Sequence, residues 1–235
     1  MNILMFGGNG VLASGIQKYL ESFECRLGIA DISHNASNIK NYWKCDARSP
    51  SSVANVLSDF SSIVGHIDAL VNLVGFIANK PFYNPMGTEK YMEDSYWQNM
   101  MDVNLNTAFI LTKEYHKYAI EHKMKCNMIN FSSVTASGNR GQIAYSVSKA
   151  AIESLTRNLA MELGPRGHRF NAISPGYIDV SSTRQNVSDE KLKAITDKIS
   201  LRKLGNIESI GKTVKFILDT DYLNGQTVKV DGGFF

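Results

Sequence analysis

The sequence is poor in the features that would place it outside the reducing cytoplasm. Its 235 residues contain three cysteines, Cys25, Cys45 and Cys126, and this odd number at wide spacing argues against a disulfide framework. No apolar run approaches the roughly 18 to 20 residues that a membrane span requires. The N-terminus lacks the basic segment and cleavage site of a secretory signal. We therefore expect a cytoplasmic protein with no membrane partner.

Charge and histidine also lack the patterns that bind nucleic acid or metal. The formal net charge is +3 and the lysines are spread along the chain, which is too weak a basic character for a nucleic-acid partner. The five histidines show no metal-ligand spacing, so no metal site is expected. Hydrophobic residues make up 43% of the chain, which is enough to form a sizeable core.

Short apolar runs alternate with longer amphipathic ones along the whole chain. Strands are predicted at 2–6, 26–31, 68–75, 127–133, 170–175 and 226–230, and helices at 11–22, 51–60, 89–122, 145–163 and 206–218. Such alternation predicts a parallel sheet with helices on both faces, a three-layer α/β fold. No linker, composition break or internal repeat interrupts it, so residues 1–235 are expected to form one domain.

A glycine-rich turn follows the first predicted strand. Gly7, Gly8 and Gly10 would let the backbone approach a phosphate, and the helix N-terminus beyond them would attract a pyrophosphate. Such turns are common, so this motif alone is weak. Asp31, 24 residues after Gly7, would bind the adenosine ribose hydroxyls and repel a 2′-phosphate. This favours NAD over NADP; the alternative for Asp31 is an ordinary turn residue at a strand end.

Tyr145 and Lys149 lie four positions apart, on one face of a predicted helix. With this pair downstream of the glycine turn, the whole chain resembles the short-chain dehydrogenase/reductase family, in a form similar to 3-oxoacyl reductases. The segments that carry the resemblance, in family order, are "CDARSP", "DALVNLVG", "MDVNL", "INFSS", "YSVSK", "ELGPRGHRFNAISPGYID" and "NGQTVKVDGGFF". The resemblance implies a Rossmann-type doubly wound sheet of about seven strands.

The resemblance also implies the site residues. The catalytic set would be Asn104, Ser133, Tyr145 and Lys149. The cofactor would be bound by Gly7, Asn9, Gly10, Val11, Leu12, Asp31, Asp46, Ala47, Asn72, Gly75, Tyr145, Lys149, Pro175, Gly176 and Ile178. Val11 and Ala13 replace two family glycines, and Gly10 and Gly15 would then keep the turn open. Val180 replaces a family threonine whose hydroxyl contacts the cofactor beside the nicotinamide. Ser181 or Ser182 would make that contact instead.

Tyr145 would act as the general acid or base. A tyrosine has a pKa near 10, and an ammonium about 4 Å away would favour the tyrosinate. Lys149 is therefore expected to lower the pKa of Tyr145 and, as in the family, to hold the nicotinamide ribose. Asn104 would bind a water in a proton relay; its alternative is an amide at a helix bend.

The serine assignment stays open between two neighbours. Motif matching selects Ser133, twelve positions before Tyr145, whereas the family's usual spacing is one residue longer and selects Ser132. Neighbouring strand residues point to opposite faces of a sheet, so only one of them can serve. Ser133 is the prediction.

Two segments are expected to cover the substrate. The aromatic stretch between Gly75 and Trp97 would wall the pocket, or else pack on itself or on another subunit. The stretch 180–201 resembles a lid. The helical tracts 91–122 and 146–163 have apolar positions at helical spacing, and members of the family pair through such helices. A homodimer or homotetramer is therefore expected.

The predicted function is an NAD(H)-dependent oxidoreductase that interconverts a secondary alcohol and a ketone. The alternatives are a nucleotide-sugar epimerase or dehydratase of the same superfamily, and a non-catalytic NAD-binding regulatory protein.

Overall fold

The structure, a computed structural model, describes residues 1–33, 40–180, 183 and 188–234. Its strands form one parallel sheet in the order β3-β2-β1-β4-β5-β6-β7. These are β1 (Asn2–Phe6), β2 (Arg26–Asp31), β3 (Tyr42–Lys44), β4 (Ala69–Asn72), β5 (Asn127–Phe131), β6 (Arg169–Pro175) and β7 (Thr227–Val230). The doubly wound fold is confirmed. Strand order reverses between β1 and β4, and in such sheets ligands bind at the carboxyl ends of the strands beside this reversal.

The helices lie between the strands in sequence. They are α1 (Val11–Leu20), α2 (Pro50–Val64), α3 (Asp94–Met101), α4 (Thr107–Glu121), α5 (Ile143–Leu163), α6 (Asp189–Thr196) and α7 (Ile207–Asp219). The long helix predicted over 89–122 is wrong as a single element. It begins at Asp94, and a π-helical segment, Asp102–Asn106, separates α3 from α4.

Successive side chains of β1 enter two different cores, which is why this strand is apolar throughout. Ile3 and Met5 pack with residues of α1 and α7, whereas Leu4 and Phe6 pack with residues of α2 and α4. Gly15 lies where α1 contacts α7. A Cβ on Gly15 would lie 1.9 Å from Ile207 Cγ2, so this glycine lets α1 approach α7. The expectation that Gly15 keeps the phosphate turn open is therefore wrong.

The segment predicted as a lid falls only partly within the described residues. Residues 188–201 include α6, whereas Ser181, Ser182 and 184–187 lie outside the description. The prediction that Ser181 or Ser182 makes the cofactor contact of the family threonine, which Val180 replaces, therefore also lies outside the described residues. No helix of the described chain is long and apolar enough to cross a membrane.

Candidate active site

The glycine turn after β1 requires glycine at its first position. Gly7 has φ +74°, and a Cβ there would lie 2.6 Å from the backbone nitrogen of Val74. Gly10 caps the N-terminus of α1. Gly7, Asn9 and Gly10 line a cavity of about 510 Å³ at the carboxyl ends of β1 and β2. The turn thus presents backbone and a helix N-terminus to this space, which we call the first cavity. The Val11 side chain is exposed.

Asp31 also lines the first cavity. Its Oδ2 accepts a hydrogen bond from the Asn9 backbone N–H at 2.9 Å. Its Oδ1 accepts from the Ser33 N–H at 2.9 Å and from the Ser33 hydroxyl at 2.7 Å. These bonds hold the carboxylate at the cavity wall.

Asp46 and Ala47 also line the first cavity, together with Arg48, which the sequence analysis did not select. The Arg48 guanidinium binds both carboxylate oxygens of Asp46, with Nη2 to Oδ2 at 2.7 Å and Nε to Oδ1 at 2.9 Å. This hydrogen bonding lowers the pKa of Asp46. The positive charge that faces the cavity is therefore largely offset by its own partner. An arginine two positions after a predicted adenine-binding aspartate was the available signal.

A second cavity, of about 320 Å³, contains the predicted reacting groups. Its lining includes Leu12, Gly75, Ser133, Tyr145, Lys149, Pro175, Gly176 and Ile178. Leu73, Gly75 and Phe76 line both cavities, so the two spaces adjoin at the end of β4. The structure therefore brings most of the predicted cofactor and catalytic residues to one crevice.

Lys149 is held from the end of β5. Its ammonium donates a hydrogen bond to the Phe131 carbonyl at 2.8 Å and lies 5.7 Å from the centroid of the Tyr145 ring. Burial lowers the pKa of Lys149 from 10.5 to about 8. The lysine is therefore charged at neutral pH but titrates just above it.

The expected effect of Lys149 on the tyrosine is wrong in this structure. The pKa of Tyr145 is raised, first by burial and then by the nearby Tyr177, while a hydrogen bond with Ser133 lowers it. The ammonium faces the aromatic ring and bonds to a backbone carbonyl, and burial weakens its charged form. Tyr145 therefore keeps its proton at neutral pH.

The two serines have different partners. Ser132 is buried, and its hydroxyl lies 2.7 Å from Glu153 Oε1 and 3.1 Å from the Lys149 carbonyl oxygen. Ser133 lies 3.0 Å from the Thr135 hydroxyl, and it is near enough to the Tyr145 phenol to lower the pKa of that group. Although both serines line the second cavity, Ser133 is the one beside the tyrosine hydroxyl.

Asn104 lies behind the crevice, in the π-helical segment. Its Oδ1 accepts from the Phe76 N–H at 2.9 Å and its Nδ2 donates to the Phe76 carbonyl at 3.0 Å. A Cβ on Gly75 would lie 2.6 Å from Asn104 Oδ1 and 3.3 Å from Lys149 Nζ. Asn104 thus holds the backbone of Phe76. Only a glycine at position 75 leaves room for the Asn104 amide and the Lys149 ammonium beside this backbone.

The segment after β6 closes the other side of the second cavity. Gly176 donates its N–H to the Val230 carbonyl at 2.9 Å, and a Cβ there would lie 2.6 Å from the Asp231 Cα. Ile178 is buried and forms a bridge with Gly205. Asn72, in contrast, is buried within the sheet. Its amide donates to Asn130 Oδ1 at 3.0 Å, and its Oδ1 accepts from the Val74 N–H.

Most aromatic residues of the segment after Gly75 pack on one another. Phe82 and Tyr83 contact Tyr91, with ring centroids 5.9 and 5.1 Å apart, and all three are exposed. Phe76 is the member of this stretch that lines the crevice. The structure therefore favours the alternative in which the segment packs on itself.

Among the described residues, no group of three or more His, Cys, Asp or Glu is arranged to hold a metal.

Comparison with known proteins gives the family. A family model described as enoyl-(acyl carrier protein) reductase matches residues 13–235. The chain belongs to the short-chain dehydrogenase/reductase family.

Curated relatives agree with this assignment. The chain is 32% identical over 195 residues to the 3-oxoacyl-(acyl-carrier-protein) reductase FabG of Buchnera aphidicola subsp. Baizongia pistaciae, covering 82% of this chain and 76% of that relative. It is 28% identical over 249 aligned positions to the acetoacetyl-CoA reductase of Allochromatium vinosum, covering 99% and 97%. The crystal structure of gox2181 matches 99% of this chain and 95% of its own with a TM-score of 0.87 at 24% identity, a likeness of fold.

As a short-chain dehydrogenase/reductase, the protein is an oxidoreductase that interconverts an alcohol and a ketone by hydride transfer with a nicotinamide cofactor. The crevice fits such a cofactor. Gly7 and Gly75 each stand where a Cβ would strike backbone or side-chain atoms. The N-terminus of α1 and Asp31 border the first cavity, which adjoins the cavity that Lys149 lines. Phe76, one of the aromatic residues expected to wall the pocket, lines the second cavity. Thr135 lines it as well but was not selected from the sequence.

Proposed function

We propose that the protein reduces the ketone of a 3-oxoacyl thioester, with NADH as the preferred cofactor and Tyr145 as the general acid. The observation that carries this proposal is the meeting of Ser133, Tyr145 and Lys149 in one cavity that adjoins the glycine turn. The printed names of two relatives, a 3-oxoacyl reductase and an acetoacetyl-CoA reductase, support the substrate class.

The residues of the cavity suit reduction. When bound, the nicotinamide supplies the hydride. Burial raises the pKa of Tyr145, so its phenol is protonated at neutral pH and can donate that proton to the carbonyl oxygen as it becomes an alcohol. Ser133, beside the phenol, would donate a hydrogen bond to the same oxygen. The Lys149 ammonium would stabilise the negative charge that remains on Tyr145.

Asp31 supports the preference for NADH over NADPH. Its carboxylate lines the first cavity, where a ribose hydroxyl would donate to it and a 2′-phosphate would be repelled. Arg48 lines the same cavity but is bound to Asp46, so its charge is not available in full to offset that repulsion. Gly7, Asn9, Gly10, Val11, Leu12, Asp46, Ala47, Gly75, Pro175, Gly176 and Ile178 complete the proposed cofactor site. Asn72 would act on the cofactor through the Val74 backbone that it holds.

We also propose a cytoplasmic homo-oligomer built from single-domain chains. Ile143 and Val147 on α5 and Phe109 on α4 are between about two fifths and one half exposed, which provides apolar surface for pairing of these helices. The stretch 180–201 would act as the lid of each subunit.

The test is a reduction assay with acetoacetyl-CoA in which NADH and NADPH oxidation are followed separately by absorbance. We expect turnover with NADH that is lost in Tyr145→Phe. The control is Tyr83→Phe, which removes an exposed phenol that lines neither cavity and should leave the rate unchanged. A Tyr145→Phe variant that retains the wild-type rate would contradict the acid role. Faster turnover with NADPH would contradict the cofactor preference alone.

A further inference from the structure

A third cavity, of about 600 Å³, lies outside the crevice. It opens between the segment after β4 and the start of α5, and it shares no lining residue with the first or the second cavity. Its apolar walls are formed by Pro81, Phe82, Ile143 and Val147. This size and this apolar character are those of sites that bind small molecules.

Hydrogen bonds hold the two sides of the third cavity together. The Lys80 N–H donates to the Gly141 carbonyl at 2.8 Å. The Gln142 Nε2 donates to Asn79 Oδ1 at 2.6 Å, and the Gln142 Oε1 accepts from Asn139 Nδ2 at 2.8 Å. Gln142 is buried, so these bonds are shielded from water. The cavity is therefore preformed, which reduces the cost of ordering its walls when a ligand binds.

One buried polar group in the wall of the third cavity has no partner. Ser146 lines the cavity and is 5% exposed, yet its hydroxyl makes no hydrogen bond with any residue that the structure describes. Ser148, two positions later on α5, instead donates to the Tyr145 carbonyl at 2.7 Å. A buried hydroxyl without a partner destabilises a fold, and few are found in native proteins. The Ser146 hydroxyl is thus available to donate to a ligand in the cavity.

Arg140 brings a positive charge to the same cavity. Its side chain is exposed, and within the described part of the chain it forms no ion pair. No aspartate or glutamate lines the third cavity. The Arg48 guanidinium of the first cavity, by contrast, is bound to Asp46. Arg140 can therefore offer its charge to an anion, and such charge-assisted hydrogen bonds are about twice as strong as neutral ones.

We propose that the third cavity binds a carboxylate that carries an apolar chain, such as an alkanoate of medium length. The carboxylate accepts hydrogen bonds from the Arg140 guanidinium and the Ser146 hydroxyl. Its chain packs against Phe82, Ile143 and Val147, which are between about two fifths and three fifths exposed and would lose apolar surface to water on binding. This inference does not rest on the proposed function, since binding here needs neither cofactor nor turnover.

A second copy of the chain is the competing occupant. Ile143 and Val147 are also among the residues whose exposure supports the pairing of helices. Apolar contact between helices would give the Ser146 hydroxyl no acceptor and Arg140 no opposite charge, whereas a carboxylate supplies both. The polar groups of the third cavity therefore favour the small anion.

Isothermal titration calorimetry with octanoate tests the site. Arg140→Gln should weaken octanoate binding by about tenfold to 100-fold, the range of a hydrogen bond to a charged group. Ser146→Ala should weaken it by about threefold to tenfold. Arg157→Gln removes another exposed arginine of α5, one that lies outside the third cavity, and as the control it should leave the affinity unchanged.

Two further measurements separate the ligand contacts from effects on the fold. Octanol should bind more weakly than octanoate, and Arg140→Gln should abolish that difference because the alcohol carries no charge. Without ligand, Ser146→Ala should leave the urea midpoint unchanged or raise it, since it removes a buried hydroxyl that has no partner. A lower midpoint would show that the hydroxyl serves the fold and would overturn its assignment to a ligand.

Other results would overturn the inference as a whole. Octanoate that does not bind, or that binds equally well to wild type and Arg140→Gln, would remove the carboxylate site. Displacement of octanoate by acetoacetyl-CoA would place it in the crevice instead. An affinity that falls as the protein concentration rises would show that a second copy of the chain covers the cavity. None of these measurements depends on reduction of a ketone, so they stand apart from the test of the proposed function.

Discussion

Replacement of Lys149 by methionine should stabilise the protein while abolishing its activity. Lys149 is 5% exposed and carries its charge inside the fold. Burial lowers its pKa from 10.5 to about 8. Since each pKa unit corresponds to about 1.4 kcal/mol, the charged form destabilises the folded state by about 3 kcal/mol relative to the neutral form. Methionine has a similar length and no charge, so it removes this cost.

The hydrogen bond from Lys149 to the Phe131 carbonyl is lost in the same substitution. Leaving a buried carbonyl without that donor costs about 1 to 2 kcal/mol. At pH 7 the net effect of Lys149→Met is therefore an increase of about 1 to 2 kcal/mol in the free energy of unfolding. This outcome is unusual for a substitution of a buried residue, since most such changes destabilise.

The pH dependence identifies the cause. Below about pH 8 the lysine is charged in both states and the cost of burying it is present in full. Between about pH 8 and pH 10.5 the folded state releases its proton first, so the unfolded state binds more protons and wild-type stability rises with pH. Lys149→Met lacks this contribution. The advantage of the variant should therefore shrink and reverse as the pH rises.

Urea unfolding of both proteins, followed by circular dichroism at several pH values from 7 to 10, measures this difference. Lys18→Met, a change at an exposed position of α1, is the control and should track the wild type across the range. A stability difference between Lys149→Met and wild type that does not change with pH would refute the buried-charge argument. So would a variant that is less stable at pH 7.

Three further predictions concern the crevice. Ser133→Ala should lower kcat/KM by about 100-fold. Ser132→Ala should instead lower the free energy of unfolding by about 1 to 3 kcal/mol, with a smaller effect on kcat/KM. If Ser132→Ala shows the larger loss of kcat/KM, Ser132 and not Ser133 is the catalytic serine. Asp31→Ala should raise the ratio of kcat/KM for NADPH to that for NADH about tenfold or more, and an unchanged ratio would remove Asp31 from cofactor selection. Gly75→Ala places a Cβ 2.6 Å from Asn104 Oδ1, so fluorescence titration should show weaker NADH binding; wild-type affinity would contradict the fit.

Most of the fold follows from hydrophobic pattern because its central strands are buried on both faces. Such strands appear in the sequence as largely apolar runs, as in the NILMF of β1 and the ALVN of β4. The strand β5, NMINF, is also buried but contains Asn130. The strand β3 has three residues, all at least partly exposed, so it has too little apolar character to be predicted. A single helix was predicted where α3 and α4 are separate, although the alternative for Asn104 was an amide at a helix bend. Asn104 lies in the π-helical segment between them, and its amide binds the Phe76 backbone, a contact between residues 28 positions apart.

The site shows the same division between local and distant causes. Helical spacing places Tyr145 and Lys149 on one face of α5, and their common cavity agrees with that prediction. Spacing does not report the surroundings of a charge, however. The pKa of Lys149 is lowered by burial, and that of Tyr145 is raised by burial together with Tyr177, a residue from the segment after β6.

The direction of these shifts changes the chemistry that the tyrosine–lysine pair favours. A lysine that lowered the pKa of Tyr145 would make the tyrosinate available at neutral pH and favour removal of a proton from an alcohol. In the structure the phenol stays protonated and Lys149 loses its own proton near pH 8, so reduction needs no prior ionisation of Tyr145 and should slow above that pH. Burial thus favours the protonated Tyr145 that donates a proton to a ketone, whereas the tyrosinate that would accept a proton from an alcohol forms only at higher pH.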